Sequence, residues 1–269
     1  LAVPLRVYTR GGQLVAQIGE QRRIPVTYEQ IPATVREAFL AAEDDRFFRH
    51  HGIDYAGVLR AAAVNLFTGN RAQGASTITM QVARNMFLTQ KREWRRKLQE
   101  VFLTWRMERE FTKEQILALY LNVIFFGQRS YGVAAAAETY FGKPLAELNL
   151  PEVALMVAIV RGPSYYDPRR HAERALERRN LVLRVLAEQG VVRPEEARRA
   201  MKAPLGITDN AGRSANYFPA FLDLVRRRLR EDYQEQALTE SGLTVFSTLD
   251  PLLQEKAESA LNDELARQD

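Results

Sequence analysis

From about Pro32 to about Pro204 the sequence places apolar residues at helical spacing, interrupted only by short segments that hold Gly or Pro. No other feature constrains the chain as much. A stretch of this length with a period near 3.6 folds as a set of packed helices, so the expected class is mainly α. Residues 34–48 form one such segment, Asp54 can cap a helix running to Phe67, and Ser76 can cap another through Phe87. A longer helix is expected over residues 91–110. Thr112-Lys113-Glu114-Gln115 is a capping box that opens a helix ending near Asn122. Gly127 and Gly132 bracket a turn ahead of a helix over residues 133–141, which Gly142 stops. Pro151 lies in the first turn of an apolar helix ending at Val160, and Arg161-Gly162-Pro163 breaks it. Another helix is expected over residues 172–189, and Pro194 starts a short one.

The chain ends read differently. Residues 5–10 and 13–18 flank Gly11-Gly12 and suggest a hairpin with a two-residue turn. Residues 206–215 are polar and contain Gly, which marks a boundary. Beyond it come a basic helix over 219–232, a strand over 243–248 and an amphipathic helix over 252–266. The expected organisation is a hairpin and linker over residues 1–25, a helical domain over 26–205, and a linker region over 206–269. The two ends are expected to form one small β element.

Composition narrows the chemistry. The 269 residues are 46% apolar, enough for a sizeable core. A formal charge of +5 and a pI near 9.5 point to an anionic partner, which leaves nucleic acid, acidic headgroups and phosphorylated substrates open. The absence of cysteine excludes disulfides and thiolate metal sites. No apolar run approaches the roughly 18 residues that span a bilayer. The sequence opens at Leu1, so an upstream signal or anchor segment is expected. His50, His51 and His171 lack metal-ligand spacing, and no Gly-x-Ser-x-Gly elbow marks a serine hydrolase. The Arg-rich stretch over 169–199 is interleaved with Glu and reads as a solvated helical face, not a nucleic-acid surface.

Three polar segments stand out: Glu43-Asp44-Asp45-Arg46-Phe47-Phe48-Arg49-His50-His51-Gly52, Gly74-Ala75-Ser76-Thr77-Ile78-Thr79-Met80-Gln81, and Arg95-Arg96-Lys97-Leu98-Gln99-Glu100. The first is either a solvated acidic patch or a carboxylate whose pKa an aromatic wall of Phe47, Phe48 and His50 raises. The second, with Arg84 and Asn85 beyond it, is either an ordinary helix start or an anion site. In the third, Lys97 and Arg96 can pair with Glu100 at i,i+3 and i,i+4, or serve as a phosphate clamp.

Taken together, these segments resemble the peptidoglycan glycosyltransferases of family 51, the polymerase domain of class A penicillin-binding proteins. Glu43, Asp44, Phe47, His50 and Gly52 match the first family motif; Gly74, Ser76, Thr77, Ile78, Thr79 and Gln81 match the second; Arg96, Lys97 and Glu100 match Arg-Lys-x-x-Glu. Further similar segments run through Leu119-Tyr120-Leu121-Asn122, Tyr131-Gly132, Tyr140-Phe141-Gly142-Lys143 and on to Pro163. Ala75, Met80 and Arg84 depart from the pattern, where the family carries glycine, glutamine and often lysine. The tail from Gly242 to Pro251 is similar to the linker that leads into a transpeptidase domain, which this sequence does not include.

The resemblance implies a lysozyme-like helical glycosyltransferase domain that polymerises lipid II into β-1,4 glycan strands with inversion, releasing undecaprenyl pyrophosphate. It implies catalytic roles for Glu43, as base, and Glu100, which positions cations or assists the leaving group directly or through a divalent ion (Mg or Mn). It implies substrate contacts from Asp44, Phe47, His50, Ser76, Thr77, Gln81, Arg84, Asn85, Arg96 and Lys97. The implied partners are lipid II, the growing glycan, the membrane surface and proteins of a cell-wall synthesis complex. The implied location is the extracytoplasmic (periplasmic) face of the cell membrane. Two other readings stay open: a lysozyme-like glycoside hydrolase or lytic enzyme, and a non-catalytic lipid II-binding module.

Overall fold

A computed structural model of the chain describes residues 5–18, 22–59, 76–87, 94–208, 218–234 and 242–268. The chain divides into two compact units, one formed by residues 24–207 and the other by the two ends together, residues 1–23 and 208–269.

In the end unit, β1 (Leu5–Tyr8) pairs antiparallel with β2 (Leu14–Ile18), with Leu5 opposite Ile18 and Tyr8 opposite Leu14. β1 also pairs parallel with β3 (Thr244–Phe246), so the sequence ends meet in one three-stranded sheet with β1 central. The turn is longer than the two residues expected. The Thr9 N–H donates to the Gln13 carbonyl at 2.8 Å and the Gln13 N–H to Thr9 Oγ1 at 3.0 Å, leaving Arg10, Gly11 and Gly12 as a three-residue loop. Gly12 has φ +82, the left-handed position such a loop closes on. Leu5, Val7, Val15 and Ala16 pack with Phe218, Leu222 and Leu249 as this unit's core.

The larger unit is helical. Its elements are α1 (Ala33–Glu43), α2 (Ile78–Phe87), α3 (Trp94–Glu110), α4 (Lys113–Val123), α5 (Val133–Phe141), α6 (Leu150–Val160), α7 (Ala172–Glu188) and α8 (Pro194–Met201). In the end unit, α9 (Pro219–Asp232) and α10 (Pro251–Gln268) follow. The mainly α class with a small sheet from the chain ends is what the structure shows. The first five residues of the helix expected from Asp54 are present over 55–59; the remainder, and the loop over 68–74, lie outside the described residues.

α6 is the centre of the helical unit, with every residue from Glu152 to Ile159 buried. α1 and α7 pack against it. Its first turn carries a capping box that the sequence reading did not single out: Asn149 Oδ1 accepts the Glu152 N–H at 3.1 Å, and Glu152 Oε2 accepts the Asn149 N–H at 2.9 Å. Lys143 Nζ neutralises the other Glu152 oxygen at 2.6 Å, which makes burial of this carboxylate tolerable. The expected box at Thr112 and Gln115 is also present. Asn122 anchors the unit's first residues to α4, accepting the Val26 N–H at 2.9 Å and donating to the Val26 carbonyl at 2.8 Å.

Asn149→Ala removes the cap at the start of the central helix. It is expected to lower stability by about 1 kcal/mol in denaturant unfolding with an unchanged m-value; no loss would mean the box does not hold α6.

Candidate active site

Residues 34–48 were expected as one helix, yet α1 stops at Glu43 and a short 3-10 turn, Phe47–Arg49, follows. The reason is Asp44. Its carboxylate takes the His50 Nε2–H at 2.9 and 3.1 Å, and accepts the Ile78 N–H at 3.0 Å. Both partners lie off the helix axis, so the backbone turns at Asp44 (φ −162, ψ 76) and Glu43 becomes the last helical side chain.

The same contacts seat the start of α2. Ser76 does not cap it: Thr77 Oγ1 accepts the Met80 N–H at 3.3 Å and donates to the Gly52 carbonyl, while Asp44 takes the Ile78 N–H. Ser76 is left facing a cavity. Gly52 has φ +87, and a Cβ there would stand 2.7 Å from Thr104 Cγ2, so only glycine lets this turn lie against α3. Glu108 on α3 completes the junction. It accepts the Thr79 hydroxyl and Lys113 Nζ (2.9 Å), and Lys113 Nζ lies 4.3 Å from the centre of the Phe47 ring.

The cavity is about 710 Å³, and its lining includes Glu43, Asp44, Asp45, Ser76, Gln81 and Arg84 together with Arg161, Arg178, Glu188 and Gln189. Gln189 Nε2 donates to the Ala41 carbonyl at 3.0 Å, which ties the end of α7 to α1. Gln81 Nε2 donates to Glu43 Oε2 at 3.1 Å. Burial raises the Glu43 carboxyl above its ordinary value; the Gln81 bond and the fields of Arg161 and Arg178 pull it back, and Asp44 adds to the rise. The apolar surface around Glu43 is aliphatic, from Ala41, Ala42, Val160 and Val185. The expected aromatic wall is elsewhere: Phe47 is buried under Lys113, and Phe48 is 51% exposed.

Glu100 is buried on α3, and its Oε1 accepts Lys97 Nζ at 2.9 Å and Arg84 Nη2 at 3.3 Å. It does not line the cavity and reaches it through Arg84. With two cations on that oxygen and, among the described residues, no three His, Asp or Glu side chains converging, the site does not fit a resident divalent ion. Arg84 keeps its Nε buried without a partner among the described residues.

The expected site residues therefore fall into groups. Glu43, Asp44, Ser76, Gln81 and Arg84 line the cavity together, with Lys97 and Glu100 behind Arg84. Phe47, His50 and Thr77 are buried, with their contacts inside the junction that holds Glu43 and α2. Asn85 is exposed and outside the cavity lining; Arg96 lies on α3, with its side chain outside the described residues. Arg161 and Arg178 were missed. The reading took 169–199 as a solvated face and Arg161 as part of a helix break; the spacing gives no sign that α7 turns Arg178 inward.

The sequence pattern of the family described as Transglycosylase matches residues 11–187. The chain is 41% identical to penicillin-binding protein 1A of Escherichia coli (strain K12), covering 98% of this chain and 31% of that protein. It is 42% identical to penicillin-binding protein 1A of Aquifex aeolicus, covering 97% and 36%. The crystal structure of penicillin-binding protein 1A from Haemophilus influenzae superposes with a TM-score of 0.55 at 30% identity, over 97% of this chain and 29% of that one. The chain thus spans about a third of the length of these relatives.

A raised Glu43 has a signed consequence for stability. The native state holds its proton more tightly than the unfolded chain, so the contribution is full below the ordinary value of 4.5 and is lost as pH rises through the native value. Glu43→Gln is therefore expected to melt higher than wild type at pH 8, with the gap closing toward pH 4; a gap independent of pH would refute this. The match over most of the helical unit, together with motifs that converge on one cavity, settles the kinship: the chain belongs to the transglycosylase family, the peptidoglycan glycosyltransferases of family 51.

Proposed function

We propose that the chain joins lipid-linked disaccharides into a β-1,4 glycan, with Glu43 as general base and lipid II as acceptor. The observation that carries this reading is a carboxylate with a raised pKa in one cavity with three guanidinium groups, those of Arg84, Arg161 and Arg178. Glu43 takes the proton of the acceptor 4-hydroxyl as its oxygen attacks the anomeric carbon of the donor. The bond from that carbon to the diphosphate breaks, and undecaprenyl pyrophosphate leaves with the electron pair, inverting α to β.

Arg84, held by Glu100 beside Lys97, meets the negative charge that develops on the departing diphosphate. Ser76 offers a hydroxyl in the same cavity, and Gln81 orients the base. Asp44, Phe47, His50 and Thr77 act here as positioning residues. Arg161 and Arg178 hold the diphosphate of the acceptor. A glycoside hydrolase needs no such cations in the cavity of its base, so this arrangement favours transfer over hydrolysis.

A lipid-borne substrate calls for work at a membrane surface, which we place on the extracytoplasmic side. Leu98, Phe102 and Trp105 support this: they are 61%, 65% and 63% exposed and share one face of α3, opposite buried Glu100. Among the described residues no helix is long and apolar enough to cross a membrane.

Glu43→Gln is expected to lower lipid II polymerisation by about 10²–10⁴-fold with the fold intact by circular dichroism. Near-wild-type turnover would remove Glu43 as base. Gln81→Ala takes away a bond that lowers the Glu43 pKa, so the acid limb of the kcat/KM profile should move to higher pH. An unmoved limb would show that this bond does not tune the base.

A further inference from the structure

Next to Arg161 and Arg178, the break after α6 builds a feature of which the reaction above uses only Arg178. The N–H groups of Tyr165 and Tyr166 both donate to the Gly162 carbonyl, at 2.9 and 2.8 Å, so both rings stand on a tight turn directly after Arg161. The rings meet edge to face at 4.9 Å and 88°. Arg174 lies over Tyr165 at 4.6 Å and Arg178 over Tyr166 at 5.9 Å. The two arginines are one turn apart on α7, which puts their Cβ atoms about 5–6 Å apart on the same face.

Neither guanidinium has a carboxylate partner among the described residues, and Arg178 Nε is buried with no hydrogen-bond partner there. Arg174 is held against a ring and not by an anion, while Arg178, over Tyr166, also acts on the charge of Glu43. Stacking on an aromatic face limits the side-chain freedom a ligand would otherwise have to restrict. A planar fork so placed suits a carboxylate.

We propose that Tyr165 and Arg174, continuing from Tyr166 and Arg178, form a rim subsite for the acidic peptide of the acceptor. This rests on the polymerase reading above, and chemistry links the two. In lipid II the peptide branches from the same sugar that bears the diphosphate, so an acceptor whose diphosphate lies at Arg161 and Arg178 carries its peptide carboxylates to the next cation outward. That cation is Arg174. Tyr165, 53% exposed, gives the peptide an aromatic surface beside it.

The test titrates the whole chain, followed by NMR, with a water-soluble disaccharide-peptide bearing free carboxylates and with its amidated counterpart. The acid form should shift the Tyr165 ring signals and bind about three- to ten-fold more tightly, the range of a partly exposed Arg–carboxylate contact. Arg174→Ala should abolish that preference, and Arg174→Lys should retain part of it. Equal binding of both forms, lost in Tyr165→Ala, would make the rim a sugar platform and overturn the proposal, as would no binding of either. In polymerisation, Arg174→Ala should raise KM for lipid II by a similar factor at unchanged kcat. It should leave a lipid-linked disaccharide without peptide unaffected. A chain that binds the acid peptide at Tyr165 but never polymerises lipid II would sink the polymerase reading and leave the rim standing.

Discussion

The site depends on the Asp44 carboxylate. It takes one bond from His50 and one from the Ile78 backbone, partners that come from opposite sides of the segment outside the described residues. That double attachment ends α1 at Glu43, starts α2 and fixes the direction in which both present their side chains. A buried carboxylate that lost either partner would be left with uncompensated charge. The contacts around it, Thr77 to Gly52 and Glu108 to Thr79 and Lys113, fasten the same junction from below.

Charge at the site is arranged in depth. Glu43 faces the cavity, and burial raises its proton affinity above that of an ordinary carboxylate. Glu100 lies behind Arg84 and Lys97, so it works through the cations it holds and not by touching the cavity. Two carboxylates drawn from the same set of motifs therefore occupy different depths, one at the cavity and one beneath the cations. Arg161 and Arg178, which line the same cavity, moderate Glu43 electrostatically.

Much of the fold was legible because helical spacing, caps and Gly or Pro breaks are local. The box at Thr112, the stop at Gly142 and the break at Arg161 lie where the residues put them. Errors arose where a distant group replaced a local one. Ser76 is a good cap by type, but Asp44, 34 positions away, takes the Ile78 N–H. Residues 44–48 keep helical spacing, yet His50 draws Asp44 out of the helix. The aromatic run after Glu43 reads as the wall of a base, yet Phe47 packs beneath Lys113 and Phe48 is largely exposed.

The sequence by itself determined the helical class, the sheet built from the chain ends, and the family whose motifs Glu43, Gln81 and Glu100 belong to. Each of those depends on periodicity or on residue types in a fixed order. Only the tertiary structure decided which carboxylate faces the cavity, which cations surround it, and that Arg178 and Arg174 stack on tyrosines beside it. Those outcomes follow from how α1, α6 and α7 pack, and packing brings together residues more than a hundred positions apart, a relation that no local pattern encodes.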